Sequence, residues 1–248
     1  MSGFWAKALP RVRAAHPDAW FVGEVIHGDY AAYAAASGLD SVTQYELWKA
    51  IWSSLNDGNF FELAWALDRH NEILDAVPPQ TFVGNHDVTR LASLLTDDRH
   101  IGHALAVLFA VGGVPSVYYG DEQAWRGVKE NRADGDDEIR PPFPASPAEL
   151  PPDGWPTYRL YQRLIGFRRR HPWLVRARTS VQHLTNEAFA FRAVADGAEM
   201  IVLLNVGDSE FRFPVDQGGL EVALTPDPGM RPEDPLLVPR HSWVILAS

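Results

Sequence analysis

Apolar and polar positions follow two rhythms along this chain, and the change comes near residue 176. Before it, short unbroken apolar runs alternate with stretches of helical spacing. The opening "MSGFWAKALPRVRAAHP" places Trp5, Leu9 and Val12 on one helical face, and Pro17 stops the element. "AWFVGEV" (19–25) then fits a parallel strand buried on both faces. "GDYAAYAAASG" predicts a short helix ending at Gly38, and "LDSVTQYEL" (39–47) a second strand. Residues 60–76 predict a helix with Phe60, Leu63, Ala64, Leu67 and Leu74 in one stripe and Asn59 as its N-cap. "QTFVGNH" (80–86) is the third strand, "HIGHALAVLFAVGG" (100–113) a packed apolar helix, and "VPSVYYG" (114–120) the fourth strand. A polar loop rich in Pro, Gly and Asp runs to about residue 154. The last helix is "TYRLYQRLIGFRRRHPWL". Tyr161, Leu164 and Ile165 form its inner face, Arg168 to Arg170 complement the negative end of its dipole, and Pro172 ends it.

Past residue 176 the period becomes two. "AFAFRAV" leads through Asp196-Gly197, a hairpin turn signal, into "MIVLLNV". "FRFPV", "LEVAL" and "SWVILA" add further short strands. The expected architecture is α/β: four parallel strand–helix units over residues 1–172, then a small antiparallel β-sandwich over residues 176–248.

Composition narrows the function. The 248 residues are 46% hydrophobic, enough for a sizeable core. A net charge of −10 argues against nucleic acid or an anionic membrane as partner and suits a neutral substrate. With no cysteine, thiol catalysis, disulfides and cysteine-ligated metals are excluded. No apolar run approaches the ~18 residues of a membrane helix, and no signal-peptide core is present, so a cytoplasmic location is expected.

The candidate chemistry lies just past the apolar runs. Glu24, Asn85, His86, Asp87, Asp121 and Glu122 all fall at carboxyl ends of expected parallel strands, where ligands bind in barrels and open α/β sheets. One acid in such a place is ordinarily a helix cap or a solvated loop residue. Three strands ending this way weigh against that reading. Gly23 and Gly84, immediately before Glu24 and Asn85, permit close approach to the backbone. Paired carboxylates facing one cavity suit glycoside hydrolysis, with one protonated to help the leaving oxygen depart and one ionised against a cationic transition state. Tyr30, Trp48, Tyr118, Tyr119 and Trp125 could stack on sugar rings, although most would be core or rim in any chain this aromatic. "DGDDE" (134–138) hints at calcium, but Ile139 stands where an EF-hand needs glycine, so a solvated acidic loop is expected. His70, His100 and His103 are expected at the surface or in satisfied positions. Dinucleotide, phosphate-loop, serine-hydrolase and zinc-protease motifs do not occur.

"GEV" after a strand, then "FVGNHDVTR", then "GVPSVYYGDE", in that order and spacing, resemble the alpha-amylase family, glycoside hydrolase family 13. The helix "LYQRLIGFRRRHPWL" and the β-rich C-terminus extend the likeness over essentially the whole chain. The resemblance implies a (β/α)₈ TIM barrel and retaining chemistry on the α-glucosidic bonds of glucosides or oligosaccharides. It matches Glu24 to the general acid/base at the end of barrel strand five. It matches Asp87 to the transition-state-stabilising acid at the end of strand seven, with His86 and Asn85 as substrate-binding residues beside it.

The family's nucleophile lies on strand four, two residues after an arginine, and nothing before Glu24 matches it. Asp18 is the only earlier acid and sits ahead of its strand. The chain is therefore expected to represent barrel strands five to eight. Strands one to four and the family's calcium site are missing, no cofactor is expected, and this chain alone should be inactive. Two open edges, at 19–25 and 114–119, would be left for a second chain to cover. The rival expectation is a non-catalytic carbohydrate-binding or complementation partner.

Overall fold

A computed structural model of the chain, describing residues 2–230 and 232–248, follows the two rhythms in order. Helix α1 (Ser2–Ala15) precedes strand β1 (Val22–Gly23), α2 (Tyr30–Ser37), β2 (Ser41–Val42), α3 (Tyr45–Asp57), α4 (Phe61–Leu74), β3 (Gln80–Thr81), a single turn α5 (Leu91–Leu94), α6 (Ile101–Ala110), β4 (Val114–Pro115) and α7 (Trp155–Arg170). Then come β5 (Arg178–Leu184), β6 (Ala188–Ala195), β7 (Ala198–Asn205), β8 (Phe211–Arg212), β9 (Glu221–Leu224), β10 (Leu237–Val238) and β11 (Ser242–Ala247).

The four N-terminal strands are parallel. β1 pairs with β2, β3 with β4, and a bridge between Thr43 and Gln80 joins the pairs, so the strands lie side by side in chain order. Each is only two residues long, much shorter than its apolar run. Side chains take over the hydrogen bonds at their carboxyl ends: Thr43 Oγ1 accepts from the Val25 amide, and Asn85 Oδ1 from the Asp87 amide. The first strand also departs from expectation in its burial. Trp20 is 47% exposed, Val22 39% and Ile26 57%, alternating with half-buried Phe21, Gly23 and Val25. Period two therefore puts Glu24 on the same open face as these apolar residues.

Helix α3 was hidden under an expected strand and loop. Leu47, Ala50, Ile51 and Leu55 recur at helical spacing and are buried, and the Gln44 side chain caps the first turn. Gly58 closes the helix at φ 56°, a left-handed conformation that favours glycine. The early elements hold fewer surprises. α2 ends at Gly38 as expected, whereas the N-cap of α4 is Phe60 and not the expected Asn59, which instead accepts from the Phe61 amide from one residue further out. α1 buries only Leu9 of its expected stripe, with Trp5 and Val12 each 38% exposed.

Helix α6 is buried on every side from His103 to Ala110 because it lies between other helices and the C-terminal sheet. On α7 the inner face is Tyr161, Leu164, Phe167 and Arg168, while Ile165 points outward. Arg168 does not serve its own helix dipole. Its guanidinium is buried and donates to the carbonyls of Phe109, Val111 and Gly113, satisfying the end of α6.

Antiparallel strands β5-β6-β7-β11-β9 form a five-stranded sheet, and β8 pairs with β10 in a separate ribbon. Asp196 and Gly197 have φ of 53° and 78°, the paired positive values of the tight hairpin turn expected there. The alternation divides the sheet between two cores. Phe189, Phe191, Met200, Val202, Leu204, Trp243 and Ile245 face the helices, while Ala190, Ile201, Leu203, Val244 and Leu246 face the ribbon with Phe213 and Val238. The expected sandwich thus has unequal layers, a sheet held between helices and a two-stranded cover. The larger core runs without interruption from Leu47 through α6 and α7 to Trp243. None of the three helical-segment histidines is at the surface: His70, His100 and His103 are all buried. Among the described residues, no helix is long and apolar enough to cross a membrane.

Candidate active site

The expected site residues converge at the carboxyl ends of the parallel strands. Glu24 follows β1, and its Oε1 accepts a 2.9 Å hydrogen bond from the Tyr45 hydroxyl. That hydroxyl in turn accepts from Asn85 Nδ2 at 2.9 Å. Asn85 Oδ1 then accepts from the Asp87 amide at 2.8 Å, tightening the turn that presents Asp87. A continuous polar chain thus runs from Glu24 through Tyr45 to the Asn85–Asp87 turn. Tyr45 is 7% exposed. Burial and the Glu24 carboxylate together raise its phenol to about 12, so it stays protonated as the donor that holds Glu24.

Asp87 is half-buried and held below the ordinary carboxylate range, first by the Lys129 ammonium at 2.6 Å and further by the His86 and Arg140 charges. Arg140 lies 3.5 Å from the same Asp87 oxygen and donates at 2.8 Å to the His86 carbonyl. His86 itself is exposed. A cavity of about 390 Å³ is lined by Trp48, Asp87, Val88, Thr89, Leu94, Lys129 and Asn131, a size suited to a small ligand. Trp48 stacks on Phe82 beside it. A larger cavity, of about 760 Å³, lies among α2, α3 and α4 and holds neither Glu24 nor Asp87.

Asp121 and Glu122 do other work. Asp121 is buried and pairs at 3.0 Å with Arg90, whose side chain is completely buried. Arg90 also donates to the Tyr119 and Ile139 carbonyls and lies over the rings of Tyr118, Tyr119 and Trp125. Three of the five aromatics considered for sugar stacking are therefore committed to this arginine. Glu122 accepts from the Gly120 amide. The glycine before Asn85 has its reason here: a Cβ on Gly84 would overlap Asp121 Oδ2. Gly84→Ala is expected to cost about 1–3 kcal/mol in a urea unfolding titration, as overpacking in a closed core does. A loss below about 0.5 kcal/mol would show that Asp121 can move aside.

The "DGDDE" loop is tied down by cations. Asp136 pairs with Arg140 at 2.7 Å and with Lys129 at 3.5 Å, so the loop carries both cations to Asp87. Sequence reasoning missed four residues. Tyr45 was read as strand, and Lys129 and Arg140 sit in a loop without periodicity. Arg90 was in view, three residues past Asp87, but nothing local marks an arginine as buried.

The model of the alpha-amylase catalytic domain matches residues 1–174. Among curated proteins, a 4-alpha-glucanotransferase of Thermotoga neapolitana is 27% identical over 244 residues, covering 85% of this chain and 52% of the relative. A cyclomaltodextrinase of Thermoanaerobacter pseudethanolicus is 28% identical over 223 residues, covering 82% of this chain and 34% of the relative. The chain spans about half the length of the first of these relatives and a third of the second. Among solved structures, an alpha-amylase from H.orenii superposes with a TM-score of 0.81 at 21% identity, over 100% of this chain and 57% of that one. At that identity the likeness is one of fold.

Proposed function

The chain belongs to the alpha-amylase family, and from that premise we propose that it carries two of the three carboxylates of a retaining site acting on α-glucosidic bonds. The observation that carries the reading is the Glu24–Tyr45–Asn85 hydrogen-bond chain, which draws the acid after β1 and the acid-bearing turn after β3 into one polar surface. In this reading Glu24 is the general acid/base: Tyr45 engages one carboxyl oxygen and leaves the other for the glycosidic oxygen. Asp87 is the transition-state-stabilising acid, kept ionised by Lys129. His86 and Asn85 bind substrate hydroxyls. The reaction needs no cofactor, because two carboxylates and a nucleophile suffice.

In the same reading β1 to β4 are strands five to eight of a (β/α)₈ barrel, residues 1–172 form its partial barrel, and residues 176–248 form the C-terminal β domain. The nucleophilic carboxylate then comes from outside these 248 residues, whether earlier in a longer chain or in a second one. The exposed Trp20, Val22 and Ile26, on the face that bears Glu24, support a covering segment at this edge. Without the nucleophile the covalent step is lost.

The test is hydrolysis of a maltooligosaccharide by the purified 248-residue chain beside a Glu24→Gln control. The expected result is equal, background release of reducing sugar from both. Turnover by the wild-type chain clearly above the control would overturn the assignment of the nucleophile to other residues. Saturable maltooligosaccharide binding without turnover would favour a carbohydrate-binding or complementation role for the isolated chain.

A further inference from the structure

Away from Glu24 and Asp87, two histidines from distant parts of the sequence meet where α6 joins the C-terminal sheet. His100, in the turn leading into α6, and His241, in the turn leading into β11, bring His100 Nε2 and His241 Nδ1 to 3.1 Å. The other His241 nitrogen is already committed. His241 Nε2 lies 2.9 Å from Asp208 Oδ1, and against a carboxylate that nitrogen must carry the proton. His241 Nδ1 therefore presents a lone pair toward His100. That lone pair can accept a proton from His100 Nε2 or bind a cation held between the rings.

The Asp97 carboxylate completes the cluster: one ligand atom from each of Asp97, His100 and His241 falls within 4.8 Å of the others. We propose that Asp97, His100 and His241 form a structural site for a zinc-like divalent cation. Zinc–nitrogen bonds of about 2.0–2.1 Å at a tetrahedral angle place two nitrogens about 3.3 Å apart, close to the separation already present. The donor set of two imidazoles and one carboxylate is one that zinc accepts, and this chain has no cysteine to offer instead. Asp208 supplies the outer carboxylate that typically orients a metal-binding imidazole and raises its basicity. His100 is only 7% exposed. A cavity of about 250 Å³, lined in part by Arg99 and His241, opens beside the cluster and leaves room for a water ligand. His241 is held at φ 47°, a left-handed conformation uncommon outside glycine, which brings its ring to this place.

Arg99 is the competing group, because it donates to both Asp97 oxygens. The cation would share that carboxylate or displace the arginine, whose side chain is 58% exposed. A bound ion would staple α6 to β11, clamping the helical half of the molecule to the C-terminal sheet.

The test titrates the purified chain with cobalt(II), watching the visible absorption of a four-coordinate centre, and with zinc, following the thermal midpoint. The expected results are one cobalt per chain, displacement of cobalt by zinc, and a zinc-dependent rise in the midpoint. His241→Gln should abolish the cobalt spectrum. Asp208→Asn, a change at an exposed carboxylate that leaves the core untouched, should weaken binding by about 10–100-fold. Arg99→Gln should tighten it by freeing Asp97. Absence of both the cobalt spectrum and the zinc shift would overturn the proposal, as would binding that His241→Gln and Asp208→Asn leave unchanged. In that event His100 Nε2 donates to His241 Nδ1, and nitrogen NMR of the pair would show that proton in metal-free protein.

Discussion

Arg90→Met is expected to lower the unfolding free energy by about 3–5 kcal/mol, the cost of removing one partner from a buried ion pair. The size follows from what remains. Asp121, its side chain 2% exposed, would lose its only cationic partner among the described residues. Burial already raises the Asp121 carboxyl to about 6 against the opposing pull of Arg90, so without Arg90 it would rise further and become protonated. The Tyr119 and Ile139 carbonyls would lose their donor as well. The effect reaches the candidate site, because Arg90, three residues past Asp87, donates to the Ile139 carbonyl and so holds the segment that bears Arg140. The measurement is a urea titration of Arg90→Met, Asp121→Asn and the double variant. The double variant should be more stable than Arg90→Met, since an amide at that position requires neither a buried charge nor the uptake of a proton. A loss below about 1 kcal/mol in Arg90→Met would mean that water reaches Asp121.

Acidification should produce the second large effect. His70 and His103 are fully buried, and desolvation pulls both from 6.5 down to about 4. The bonding agrees with neutral rings: Gln44 Nε2 donates to His70 Nδ1 and His70 Nε2 to the Gly112 carbonyl, while His103 Nε2 faces the Asn205 and Ser242 carbonyls. Between pH 6.5 and 4 the unfolded chain binds two protons on these histidines that the folded chain does not. Asp121 acts in the opposite sense, because its folded carboxyl at about 6 binds a proton that the unfolded carboxyl, at 3.8, does not. Over these three groups the net uptake on unfolding is one proton between pH 6 and 4, and His100 and His183, also pulled down by burial, add to it in the same sense. Stability should therefore fall as pH falls by at least about 1.4 kcal/mol per unit, or about 3 kcal/mol across the window. Urea titrations at several pH values would give the slope. His70→Gln, which keeps the donor to Gly112 without a titrating ring, should remove most of it. A flat profile in the wild-type chain would mean that at most one of the two histidines stays neutral in the fold.

The elements that could be read from sequence are those whose burial has a period. Leu63, Ala64 and Leu67 made α4 legible, the apolar run at 104–111 made α6 legible, and the alternation around Phe189 and Phe191 made β6 legible. Helix α3 is masked in the sequence because Ser41, Val42 and Thr43 have strand character and no glycine or proline separates them from the helix that follows. Ile165 and Arg168 exchanged places on α7 because helical spacing cannot say which edge of a stripe meets a carbonyl-rich helix end. Of the site, Glu24, Asn85, His86 and Asp87 were named from their place after apolar runs and from a family resemblance. Tyr45, which links them, was not.

The sequence by itself determined the order of the elements, the split between a parallel half and an antiparallel half, and the placing of acids at strand ends. These are consequences of local periodicity and of glycine and proline, which act over a few residues. Tertiary structure alone decided which acids face one another and which are paired away. Asp87 and Asp121 look alike in sequence, each just past an apolar run. One meets Lys129 at a cavity and the other meets Arg90 in the core, because desolvation and charge pairing depend on neighbours 31 to 42 positions distant.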